Sequence, residues 1–166
     1  LDYFKIIMNK INPKQSLKEI DHYLKKLFPL NRSITGEANR KTLKILSEIV
    51  PIKIIEYRSG KKVYDWKIPK EWNLKDAWIK DEKGRKIVDF KNCNLHVVSY
   101  SQSIHKKIKI KDLKKNLFYH DKIHNAIPYR TSYYKESWGF CITKKQFEKI
   151  EKKSQDIKYE VYINSS

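Results

Sequence analysis

The chain has 166 residues, room for one domain with a core or for one domain plus a small insert. Hydrophobic residues make up 40% and charged residues 34%, which excludes a disordered tail; no stretch reaches the ~20 consecutive apolar residues of a membrane helix. The net charge is +18, but Arg32, Arg40, Arg58, Arg85 and Arg130 are the only arginines, and the lysines interleave with Asp and Glu. That is the pattern of a solvated surface and argues against specific nucleic-acid binding.

Residues 1–13 read as a frayed lead-in ending at Pro13, too short and too charged (Asp2, Lys5) for a secretory leader. The start at Leu1 and the end at Asn164-Ser165-Ser166 read as cuts in a longer protein. Ser16 and Glu19 have capping-box spacing, and Leu17, Ile20, Leu24, Leu27 and Phe28 follow at helical spacing until Pro29. After the loop 30–36 a second helix is expected from Glu37, with Ala38, Thr42, Ile45, Leu46 and Ile49 as its buried stripe. Residues 52–57 read as a β-strand.

From Lys61 the segments become short, aromatic and β-rich. Strands are expected over 63–68 and 72–79, the latter weakened by Asp76. A turn at 81–84 and a return over 85–90 then make a hairpin. A strong strand is expected over 95–100, another around Ile108 and Ile110, and a short helix from Asp112 to Tyr119. Residues 120–128 are loop. A strand over 138–142, a helix opened by the Thr143–Gln146 capping box and a closing strand over 159–163 complete the chain. Cys93 and Cys141 sit in apolar surroundings and are expected to be buried and reduced, which points to a cytoplasmic compartment.

Chemistry is sparse. His120-Asp121-Lys122-Ile123-His124 has the i, i+4 histidines of a zinc helix. Asp stands where a Glu base is needed, however, and Pro128 and polar flanks favour a solvated loop. Cys93, His96 and His105 match no compact zinc spacing, and His96 reads as a core histidine. No glycine-rich phosphate loop and no Gly-x-Ser-x-Gly elbow occurs. The aromatic run 129–138 offers flat faces with polar tips, suited to gripping a ligand or to packing. The loop 31–36, cationic and hydroxyl-rich at a helix N-terminus, suits an anion or a plain connection.

Five stretches, taken in order, are far more specific. They are Phe28-Pro29-Leu30-Asn31-Arg32-Ser33-Ile34-Thr35-Gly36, Tyr64-Asp65-Trp66-Lys67-Ile68-Pro69, Asn94-Leu95-His96-Val97-Val98-Ser99-Tyr100, Ile127-Pro128-Tyr129-Arg130-Thr131 and Trp138-Gly139-Phe140-Cys141. Together they closely resemble a family of bacterial aminopeptidase-like proteins, whose domains carry unknown-function labels and which are often found near polysaccharide-biosynthesis genes. The likeness covers about residues 16–166.

The resemblance implies an α/β fold: the N-terminal part of an aminopeptidase-like α/β/α sandwich with a small β-rich inserted domain. Residues 1–60 would supply the first helices and strand, 61–137 the insert, and 138–166 the return to the main domain. It implies a zinc-dependent hydrolase of peptide or amide bonds in the parent protein. The family's His-Pro and Asp-Asn-x-Ser-Gly metal motifs do not occur here, so no catalytic or metal-binding residue carries over. Arg32, Tyr133, Tyr134 and Trp138 are the expected substrate contacts. A basic module for nucleic acid or anionic glycan, and a non-catalytic partner in polysaccharide biosynthesis, are the alternatives. An uncovered sheet edge and apolar helix faces lead to an expectation of homo-oligomers.

Overall fold

A computed structural model describes residues 12–133 and 135–166. Helix α1 is Pro13–Leu27 and helix α2 is Glu37–Leu46. α1 starts earlier than the Ser16–Glu19 pattern predicts. Asn12 is its N-cap, accepting from the backbone N–H groups of Lys14 and Gln15, and Pro13 occupies the first turn, where its missing N–H costs nothing. Most of the apolar stripe of α1 is exposed, with Leu24 61% and Phe28 71% accessible; Leu27 is half-buried.

The strand expected over 52–57 does not form. The segment has no regular secondary structure, is mostly exposed, and no described strand lies beside it; β-branched residues favour extended backbone, but a strand also needs a neighbour to bond. Its anchor is Arg40 on α2, which bonds Glu56 at 2.9 Å and also grips Glu71.

β1 (Lys62–Val63) and β2 (Trp66–Lys67) form a small antiparallel hairpin around Tyr64, which has φ 54° and is almost fully exposed. β3 (Leu74–Lys80) and β4 (Lys86–Asp89) are the expected hairpin, turning at buried Asp81. The Asp81 carboxylate accepts from the backbone N–H groups of Lys83 and Arg85 and is held below the usual carboxylate range by the Arg85 guanidinium. Asp76, the residue that weakens the β3 pattern, marks a register irregularity.

Residues 95–100, expected as a strand, are instead a short 3-10 turn (Asn94–His96) followed by single bridges to Phe140 and Thr131. Tyr100 has φ 67°, and this left-handed residue ends any ladder. β5 (Ile104–Lys109) runs into a short helix, α3 (Ile110–Leu113), and a 3-10 turn (Lys114–Asn116). β6 (Leu117–Phe118) and β7 (Phe140–Cys141) pair in parallel. α4 (Lys144–Glu151) opens with the complete Thr143–Gln146 capping box, and β8 (Lys158–Ser165) closes the chain.

The chain is thus mixed α/β. Its main sheet has the order β4-β3-β8-β5, antiparallel throughout. The last strand is therefore central, and the sheet crosses the boundary expected at residues 137/138. On one face Ala77, Ile79, Val161 and Ile163 are essentially inaccessible and join Ile110, Leu113, Phe140 and Ile150 in one core. On the other face Trp78 stacks on Tyr162 at 5.1 Å.

Candidate functional site

Three elements converge beside the β1–β2 hairpin. Gly60, at φ +83°, admits the hairpin, and Pro69 ends it. Trp66 on β2 donates its indole N–H to the Tyr133 hydroxyl at 3.0 Å. Tyr133 packs edge-on against Tyr100 at 5.4 Å, and Tyr100 stacks on buried Trp72 at 5.9 Å. The Tyr100 hydroxyl meets the Thr35 hydroxyl at 3.0 Å, and Trp72 donates to the Ser101 carbonyl. This relay of rings ties the helical segment to the sheet and leaves an open cavity of about 510 Å³ on the Trp66 side. Gln102, Ser132, Lys70 and Lys135 contribute polar groups to it.

The expected contacts do not share one cavity. Tyr133 lines the one just described. Arg32 lines a second, of about 200 Å³, with Asn31, Asn94 and Tyr129, and donates to the Leu27 carbonyl at 2.7 Å, closing the C-terminal turn of α1. The Asn31 amide nitrogen is buried there with no partner among the described residues. Trp138 is half-buried against the core, and Tyr134 lies outside the described residues. The loop 31–36 uses its hydroxyls internally: Ser33 donates to the Thr35 carbonyl, and Thr35 to that of Lys70. The N-terminus of α2 takes the Asn73 side-chain oxygen at 2.8 Å from the Glu37 N–H, so an anion there would compete with a built-in cap. Trp66, Tyr100 and Gln102 were not legible as site residues; the exposed Tyr-x-Trp of a hairpin was their one sequence signal.

Among the described residues no three His, Cys, Asp or Glu side chains gather as a metal site, so they do not fit the zinc that the resemblance implies. His120 and His124 lie in an exposed turn, where the His120 Nδ1 accepts from the N–H groups of Lys122 and Ile123. Cys93 and Cys141 are free; burial pushes the Cys141 thiol up to about 11, which makes it a poor nucleophile. No described helix is long and apolar enough to cross a membrane.

His96 is buried, and its Nδ1–H donates to the Cys141 carbonyl at 2.8 Å. Burial lowers its pKa below the ordinary 6.5, although the carbonyl partly opposes this. The unfolded chain therefore takes up the proton first. Stability is expected to fall as pH drops below about 6.5 and to level off once the folded form also titrates. Urea midpoints at pH 7.5, 6.5 and 5.5 check this. The His96→Asn variant should start less stable and lose most of the slope; an equal slope would assign it to other groups.

Comparison with known proteins follows this geometry. A Clostridium acetobutylicum protein, provisionally named a polysaccharide biosynthesis protein with aminopeptidase-like domain, is 46% identical over 155 residues, covering 93% of this chain and 35% of its own length. A solved structure from Clostridium acetobutylicum, provisionally described as a peptidase, superposes with a TM-score of 0.86 at 44% identity, over 99% of this chain and 37% of that one. The chain thus spans about a third of the length of both. A family model described as a domain of unknown function, DUF2172, matches residues 71–166, which hold all four strands of the main sheet. The chain belongs to the DUF2172 family.

Proposed function

We propose that the chain forms the substrate-facing wall of an aminopeptidase-like hydrolase that cleaves an N-terminal residue from a peptide or a similar amide. What carries this reading is the Trp66–Tyr133 cavity, an open, aromatic and polar cleft, on a chain close in sequence to a relative named for an aminopeptidase-like domain. Residues 1–60 would then belong to the α/β/α sandwich of that hydrolase. The mostly exposed stripe of α1 and residues 52–57, which pair with no described strand, are the surfaces such a sandwich would cover, with 52–57 taking a place in its sheet. The zinc is assigned to residues outside those described, and Arg32 and Tyr133 to the approach of substrate.

The test uses a protein of the relatives' length that carries this chain. It is expected to bind zinc, to release p-nitroaniline from aminoacyl p-nitroanilides, and to lose that activity with a chelator. The Trp66→Ala variant is expected to raise KM several-fold with kcat nearly unchanged, because the ring holds substrate and touches no reacting bond. Hydrolysis that persists after metal removal, or no hydrolysis of any amide, would sink the proposal.

A further inference from the structure

The lining of the cavity beside the hairpin is unusual in what it lacks. No Val, Leu, Ile, Met or Phe lines it among the described residues; Trp66, Tyr100, Tyr133 and Pro69 supply its apolar ring surface. A pocket for aliphatic side chains of a peptide would carry branched apolar residues. Rings flanked by hydrogen-bonding groups suit a different chemistry. One face of a pyranose sugar is a patch of C–H bonds that packs on the negative face of an aromatic ring, and its hydroxyls point outward to polar partners. Trp66 is 43% exposed and held at its edge through the Tyr133 hydroxyl, so a ring face remains open to a ligand. Gln102, Ser132, Asp65 and Glu136 stand around it as donors and acceptors for hydroxyl groups.

Charge narrows the class further. Lys67, Lys70 and Lys135 line the cavity and form no ion pair with any described residue, whereas lysines 25, 86, 109, 114 and 153 each do. Asp65 and Glu136 likewise have no ion-pair partner among the described residues, so the cavity has three cationic against two anionic described groups. A carboxylate brought by the ligand would gain charge-assisted hydrogen bonds without breaking any in the protein.

We infer that the cavity lined by the β1–β2 hairpin and by Ser132, Tyr133, Lys135 and Glu136 binds a saccharide, with a pyranose ring on Trp66 and the lysines selecting an acidic sugar. This rests on the reading of that cavity as the substrate face, and it narrows the substrate to an amide carried on a sugar acid.

The test is a titration of the chain with digalacturonate, with a neutral galactose disaccharide and with trialanine, followed through the indole N–H resonances. The Trp66 resonance is assigned with Trp66→Phe. Digalacturonate should shift the Trp66 signal and leave that of buried Trp72 in place. The neutral disaccharide should bind more weakly. Trp66→Ala should lower affinity at least about tenfold. It should leave the chain folded, because Trp66 is outside the core. Trp66→Phe should keep most of the binding. A Lys67→Gln, Lys70→Gln double variant should erase the preference for the acid. Binding of trialanine at the same site, absence of saccharide binding, or equal affinity for both disaccharides would overturn the inference. Amide hydrolysis is not part of this readout: saccharide binding with no hydrolase activity would sink the proposed function and leave this site standing, and hydrolysis with no saccharide binding the reverse.

Discussion

Val161→Asp is expected to remove a large share of the chain's folding free energy. Val161 is fully buried at the middle of β8, paired with Ile79 on one side and Lys106 on the other. The strand bonds to both neighbours, so its inner face has no route to water. A carboxylate there has no cationic partner in the core. It must stay charged without solvation or take up a proton, and either costs about 3–5 kcal/mol beyond the lost valine packing. A domain of this size has only about 5–15 kcal/mol to lose. The melting temperature should fall by roughly 10 °C or more, and the urea midpoint with it. Val161→Ala, which leaves a cavity and no charge, should cost about 2 kcal/mol and still fold. If the Asp variant melted within a degree or two of the parent, β8 would not be the buried centre of the sheet.

Gly36→Ala should act on the junction between the helices and the sheet. Gly36 precedes α2 at φ +139°, a conformation that L side chains rarely adopt. A Cβ built there lies 2.6 Å from the Trp72 carbonyl oxygen and 3.0 Å from the side-chain oxygen of Asn73. Neither is the free end of a flexible chain: Trp72 is buried, and Asn73 caps α2 through Glu37 and exchanges two backbone hydrogen bonds with Ser166. Backbone strain alone costs about 1–3 kcal/mol, and the clash adds to it. Hydrogen exchange should show α2 losing protection while the amides of β3 and β8 keep theirs. Gly84→Ala is the control. Its φ is +75°, but nothing lies within 4 Å of the added carbon, so only the smaller strain cost is expected. Equal effects of the two substitutions would argue against a tight Gly36–Trp72 contact.

How much of this was legible depended on whether the signal was local. The Thr143–Gln146 capping box, the β3–β4 hairpin around Gly84 and helix α2 each follow from residues within a few positions, and all three form. Residues 52–57 and 95–100 carry equally good strand composition but pair with no described strand in one case and kink at Tyr100 in the other. Composition fixes a preference for extended backbone; the presence of a partner is a tertiary fact. The same limit applied to the site. The run 129–138 named Tyr133, but its partner Trp66 is 67 positions away, and nothing in the spacing joins them.

By itself the sequence determined the mixed α/β class, the Thr143–Gln146 cap and the turn at Gly84, because periodicity and turn chemistry act over short range; it misplaced the cap of α1 and marked on that helix an apolar stripe that is mostly exposed. Only the tertiary structure decided that the last strand is central, that Asn73 caps a helix distant in sequence, and that Trp66 meets Tyr133 beside a cavity. Those arrangements depend on which surfaces meet when the chain closes its long loops, and a single sequence carries no local mark of that choice.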